Sequence, residues 1–141
     1  ARPDILGVVH THSVYASVLA VAHLELPPLI DELVASIGGE VRVTEYAFPS
    51  TEELAQKVGV ALVDRNAVLL ANHGVVGVGA DPRHALAVCE LVERAAHIYV
   101  MARALGRVNP LPEEIIAAEK DLFRMMHIPF HGQPNRGHGE T

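Results

Sequence analysis

Three histidines, His10, His12 and His73, have the residue type and spacing to do chemistry. His10-Thr11-His12 closes a β-branched run, Ile5-Leu6-Gly7-Val8-Val9, that is predicted as a buried strand. Strand side chains alternate faces, so His10 and His12 point the same way, a few ångströms apart. His73 follows a second such run, Ala67-Val68-Leu69-Leu70-Ala71. If the two strands end side by side, three imidazoles converge on one point. Three neutral nitrogen ligands leave a zinc ion its full charge and an open position, which is the ligand set of a catalytic site. Such an ion polarises a substrate oxygen or activates water, and the triad alone fits both. Cobalt, nickel and iron accept the same ligands.

The elements that must position these ligands are legible from periodicity and caps. Ser13 is predicted to cap a helix to about Val21, with Val14, Ser17, Val18 and Val21 on one face. Leu26-Pro27-Pro28 stops it, and a second helix from Leu29 to about Ser36 ends at Gly38-Gly39. Val41-Arg42-Val43 alternates like a short strand. Ser50 and Glu53 fit a capping box that opens a helix to about Val63. Val75 to Gly79 reads as a third strand, in antiparallel hairpin with Ala67–Ala71 through a turn at Gly74. Asp81-Pro82 opens the longest helix, to about Leu105, with one apolar stripe of Val88, Val92, Ala95, Tyr99 and Ala102 and an adjacent one of Leu91, Ile98 and Leu105. A last helix runs from Pro112 to about Met126. The Gly-, Pro- and His-rich residues 127–141 form a flexible or pocket-covering tail. The expectation is one α/β domain over residues 1–126, with a mixed sheet and helices on both sides.

Composition narrows the function further. A chain of 141 residues holds one domain with a real core, and half its residues are apolar. The net charge of −6, without a Lys/Arg cluster, argues against nucleic acid or an anionic membrane as partner. No apolar run is long enough to span a bilayer. The single cysteine, Cys89, suits a reducing cytosol and reads as core filler, and the expected location is cytoplasmic. The chain opens at Ala1-Arg2-Pro3-Asp4, without Met and close to a buried strand. It is therefore expected to be the C-terminal portion of a longer protein.

Most of the nine histidines are expected to do no chemistry. His23 and His84 fall at helix ends and read as solvated. His97 reads as packed or at a subunit interface. His127, His131 and His138 fall in or beside the tail. Carbon–carbon or proton-transfer chemistry at a zinc-bound oxygen needs a base. Asp31 and Glu32 are the acidic pair nearest the expected site; Glu45 and Tyr46, after the short strand, are weaker candidates.

An H-x-H triplet occurs in several metalloenzyme classes, and context removes most. The metallo-β-lactamase-like motif needs an Asp after the second histidine, where Ser13-Val14-Tyr15 stands. An amidohydrolase barrel does not fit this length. Cupins and carbonic anhydrases are nearly all β. Val8-Val9-His10-Thr11-His12-Ser13 instead resembles the zinc motif of the class II aldolase/adducin family. The similarity continues through Gly38-Gly39, through Asp64-Arg65-Asn66-Ala67-Val68-Leu69-Leu70-Ala71-Asn72-His73-Gly74, and through Glu90-Leu91-Val92-Glu93-Arg94-Ala95-Ala96. Its spacing is similar to the branch containing L-fuculose-phosphate aldolase.

The resemblance implies a three-layer α/β/α sandwich with a mostly antiparallel central sheet, here lacking its N-terminal part. It implies Zn²⁺ held by His10, His12 and His73, and a homotetramer with active sites between subunits. The implied reaction cleaves a short ketose phosphate to dihydroxyacetone phosphate and an aldehyde through a metal-stabilised enediolate. Related decarboxylases, epimerases and dehydratases, and a non-catalytic adducin-like module, share the family, and an inactive fragment is the remaining alternative. The family's main catalytic glutamate and its phosphate-binding loops are expected upstream of Ala1. Where the fuculose aldolases carry a proton-donating tyrosine before Gly-Gly, this chain has Glu32, with Asp31 beside it.

Overall fold

The computed structural model describes residues 2–127. The order is β1 (Gly7–Thr11), α1 (Val14–Ala22), α2 (Asp31–Ile37), α3 (Glu52–Ala61), β2 (Ala67–Leu70), β3 (Gly74–Gly79), α4 (Pro82–Leu105) and α5 (Glu113–His127). The strands form an antiparallel sheet in the order β1-β3-β2. β2 and β3 are the expected hairpin, with Leu70 opposite Gly74. β1 arrives from 60-odd positions away to pair with β3, placing His10 opposite Val76 and Thr11 opposite Val75.

Apolar residues on both alternating sets of positions in β2 and β3 give the sheet two apolar faces. Ala67, Leu69 and Val75 face the main core, shared with Ala16, Leu19 and Ala20 of α1, Leu33 and Ile37 of α2, and Val88, Cys89 and Val92 of α4. Val68, Leu70, Val76 and Val78 face a smaller cluster under α3, with Leu62, Leu54 and Val58. Helices thus cover both sides of the sheet, which is the expected α/β/α layering.

Several local expectations change. Val41 and Val43 form isolated bridges, antiparallel to Leu26 and parallel to Leu69, in place of a strand. The α3 cap is Thr51, whose hydroxyl accepts from the Leu54 N–H, and not Ser50, which takes a left-handed φ of 64°. On α1 the inward face is Ala16, Leu19 and Ala20, while Val14, Val18 and Val21 are exposed. The small alanines let α1 approach the sheet and α4 closely. On α4 the first stripe is buried from Val88 to Tyr99, but Ile98 and Leu105 of the second face outward. α2 begins at Asp31 and ends in a left-handed Gly38. A β-carbon there would also strike the Phe123 ring at 2.8 Å, so the glycine lets α5 seat its one buried aromatic ring.

Polar groups tie the layers together where the core stops. Arg65 is buried and reaches Glu40 at 2.7 Å, and Lys120 of α5 meets the other Glu40 oxygen at 3.2 Å. Burial alone would raise the Glu40 pKa; hydrogen bonds from the main chain, Arg65 and Lys120 more than reverse this and hold it at about 2. Arg2 bonds the carbonyls of Leu62 and Arg65 and the amide oxygen of Asn66, fastening the segment before β1 to the start of β2.

Candidate metal centre

The paired strands place the three predicted ligands at one end of the sheet. His10 is the penultimate residue of β1, His12 lies just beyond it, and His73 sits in the turn between β2 and β3. His10 Nε2 is 2.9 Å from His12 Nε2 and 3.2 Å from His73 Nε2. One ligand nitrogen from each residue falls within 4.8 Å of the others, and among the described residues this is the one such group. Nitrogens bound tetrahedrally to one zinc ion at about 2.0–2.1 Å lie roughly 3.3 Å apart, so the spacing fits a shared ion.

Second contacts orient the rings. His10 Nδ1 lies 2.9 Å from the Val75 carbonyl, to which it donates, leaving the Nε2 lone pair free to ligate. Burial lowers the His73 pKa below the ordinary imidazole value, and His10 and His12 push the same way. A ring neutral at physiological pH is the form that binds a metal. Gly74 makes room for the cluster. Its missing β-carbon would stand 2.4 Å from the Thr11 carbonyl oxygen and 3.1 Å from His12 Cδ2.

The other candidates are engaged elsewhere in the chain. Glu32 pairs with Arg94 of α4, both side chains more than half exposed. Asp31 faces Glu119 of α5, whose pKa is raised by burial and by the Asp31 carboxyl. Neither belongs to the ligand cluster. Glu45 pairs with Lys57 at the surface, and Tyr46 is exposed. His97 stacks on Tyr15, ring centroids 3.9 Å apart. His84 is half-buried and accepts from the Ala80 N–H at 3.4 Å, where a solvated ring is expected from sequence. His127 stacks on Phe123. Cys89 is buried core, its thiol pKa raised by that burial. His127, expected to begin the tail, closes α5 instead, and His131, His138 and the rest of the expected tail lie outside the described residues.

Sequence reasoning missed two supports. Ser13 occupies the α1 N-cap but makes no side-chain cap bond. Glu93 of α4 does that work: its two oxygens accept from Tyr15 N–H and Ala16 N–H, each at 2.9 Å. The available signals were an acid between the buried pairs Leu91-Val92 and Ala95-Ala96 and a first α1 turn without one. The second is His23, exposed yet 2.7 Å from the Asn72 amide oxygen.

The geometry agrees with comparison to known proteins. Residues 1–100 match the family described as Class II Aldolase and Adducin N-terminal domain. A 5-deoxy-D-ribulose 1-phosphate aldolase of Bacillus thuringiensis serovar kurstaki is 39% identical over 113 residues, covering 80% of this chain and 53% of that protein. An L-fuculose phosphate aldolase of Escherichia coli K12 is 30% identical over 125 residues, covering 88% and 58%. A more distant relative, a decarboxylase of Streptomyces niveus, is 27% identical over 116 residues, covering 82% and 43%. A solved L-fuculose 1-phosphate aldolase superposes with a TM-score of 0.81 at 38% identity, covering 88% of this chain and 58% of that one. The chain thus spans little more than half the length of these aldolases. With the match covering most of its length, the chain belongs to the Class II Aldolase and Adducin N-terminal domain family.

Proposed function

We propose that the full-length protein is a zinc-dependent aldolase that cleaves a short ketose phosphate to dihydroxyacetone phosphate and an aldehyde. The observation that carries this reading is the approach of His10, His12 and His73 within ligand distance of one another, in a family whose named relatives include sugar-phosphate aldolases. A divalent ion held by these three residues would supply Lewis acidity toward the carbonyl and adjacent hydroxyl oxygens of the ketose. The chain's own task is to hold three imidazoles on one side of that point and leave the other open. Val75 fixes His10 by its carbonyl, and Gly74 keeps space beside His12.

Proton transfer is assigned in the same reading to a glutamate upstream of Ala1, with Glu32 and Asp31 serving a neighbouring subunit. Glu32 lies at the surface, where a second copy can reach it. The reading takes the protein as a cytoplasmic homotetramer with sites between subunits. Among the described residues no helix is long and apolar enough to cross a membrane.

Metal analysis of chelator-free protein is the first test, with about one zinc per chain expected and a small fraction of that overturning the reading. His73→Ala should lose metal and turnover while keeping its circular dichroism; wild-type turnover would remove His73 from the ligand set. Full rate in Glu32→Gln would remove Glu32 from proton transfer. The decarboxylase relative favours a second reading on the same metal centre. Product assay separates the two: dihydroxyacetone phosphate for the aldolase, carbon dioxide for the decarboxylase.

A further inference from the structure

Helix α1 touches the metal centre at both ends. It starts two residues after His12, and its last turn meets the β2–β3 turn that carries His73. That last turn closes with Leu24 N–H bonding the Leu19 carbonyl at 3.0 Å and His23 N–H bonding the Ala20 carbonyl at 3.4 Å. In this motif the residue at the position of His23 takes a left-handed conformation, and glycine is its usual occupant. His23 takes it with φ 53° and ψ 37°, a strained backbone for a residue with a β-carbon. A histidine there has a cost that glycine would avoid, so its side chain is where a return must be sought.

The return is a bond to the ligand turn. His23 Nε2 stands 2.7 Å from the Asn72 amide oxygen, so the imidazole donates and the amide accepts. Asn72 is itself left-handed, with φ 57°, and its N–H bonds the Ala20 carbonyl at 3.1 Å. The residue before His73 is therefore held by main chain and side chain to one turn of α1. His73 needs that support. Its N–H bonds the Leu70 carbonyl at 3.0 Å, but among the described residues its ring has no carbonyl partner like the one Val75 gives His10. Backbone placement is what aims its Nε2.

We propose that His23 is a positioning residue for the metal centre: through Asn72 it fixes the turn that presents His73. This rests on reading the three imidazoles as metal ligands. Outer partners of metal-binding histidines typically change affinity by about 10–100-fold when removed, and the clasp acts at one remove, on the backbone of the ligand.

Full-length apoprotein titrated with cobalt(II) tests it, with affinity read by chelator competition and geometry by visible absorption. His23→Gly removes the clasp and the backbone strain together. It should lower cobalt affinity about tenfold and alter the visible bands, while the apoprotein melts at or above the wild-type temperature. His23→Gln keeps an N–H donor and should recover most of the affinity and the wild-type bands. Wild-type affinity and bands in His23→Gly overturn the clasp alone. A tenfold loss that accompanies a lower apoprotein melting temperature, with no recovery in His23→Gln, also overturns it, since that marks a structural role only. Wild-type protein that binds no cobalt overturns the metal reading and the clasp with it.

Discussion

Glu93 caps helix α1 from across the core, its carboxylate accepting the Tyr15 N–H at 2.9 Å and, through its second oxygen, that of Ala16. The cap joins α4 to the helix that begins two residues after His12. Helix starts leave N–H groups without partners, and a negative charge there also meets the positive end of the helix dipole.

Glu93→Ala should therefore cost about 2 kcal/mol of stability, the range for a lost helix cap made by a charged acceptor. Glu93→Gln, which keeps one acceptor oxygen, should lose about half of that. Urea denaturation of both variants checks the order; equal stability of Glu93→Ala and wild type would refute the cap.

Gly74→Ala forces a β-carbon against the Thr11 carbonyl, 2.4 Å away, and crowds His12. Either β1 or the β2–β3 turn must give way, at a cost on the order of 2 kcal/mol. Zinc affinity should fall with stability, because the yielding elements carry the ligands. Calorimetric zinc titration reads this, and wild-type affinity in Gly74→Ala would show that the turn moves without disturbing the triad.

Acid should weaken the fold through Glu40. Its folded pKa of about 2 lies below the ordinary value of 4.5, so at intermediate pH the unfolded chain takes up a proton that the folded chain refuses. The stabilisation is complete above about pH 4.5 and is lost as pH falls toward 2, up to about 3 kcal/mol in all. Glu40→Gln should flatten that limb of the stability-versus-pH curve between pH 5 and 2. An unchanged limb would assign acid unfolding to other carboxyls.

A bound ion stabilises only the folded state. Adding chelator to zinc-loaded protein should lower its melting temperature, by an amount corresponding to about 2.7 kcal/mol where free zinc stands a hundredfold above its dissociation constant. His73→Ala should melt at the same temperature with and without chelator. A chelator response that survives in that variant would place the stabilising metal elsewhere.

The elements were readable from sequence because their signals are local. Val8-Val9 announce a strand by β-branching, Ala67 to Ala71 by a short continuous apolar run, Asp81-Pro82 opens α4 by its cap, and the two-residue spacing of His10 and His12 fixes their common face. Periodicity groups Val14, Val18 and Val21 on one side of α1 but does not say which side faces inward. That depends on how closely α4 and the sheet approach, and Ala16, Leu19 and Ala20 allow the closer contact. Contacts far apart in sequence were equally hidden. Glu93 serves α1 from 78 positions away, His23 meets Asn72 from 49, and Glu32 meets Arg94 from 62. Nothing in the local pattern around any of these residues names its partner.

The strand order β1-β3-β2 has a kinetic consequence. The β2–β3 hairpin can close early, since its strands are joined by a short turn, and it already carries His73. β1 must close a loop of more than 60 residues to reach β3, a slow step with a high entropic cost. His10 and His12 therefore join His73 only when the last strand docks. Metal binding should report completion of the sheet, and an ion held there should chiefly slow the undocking of β1 as the protein unfolds.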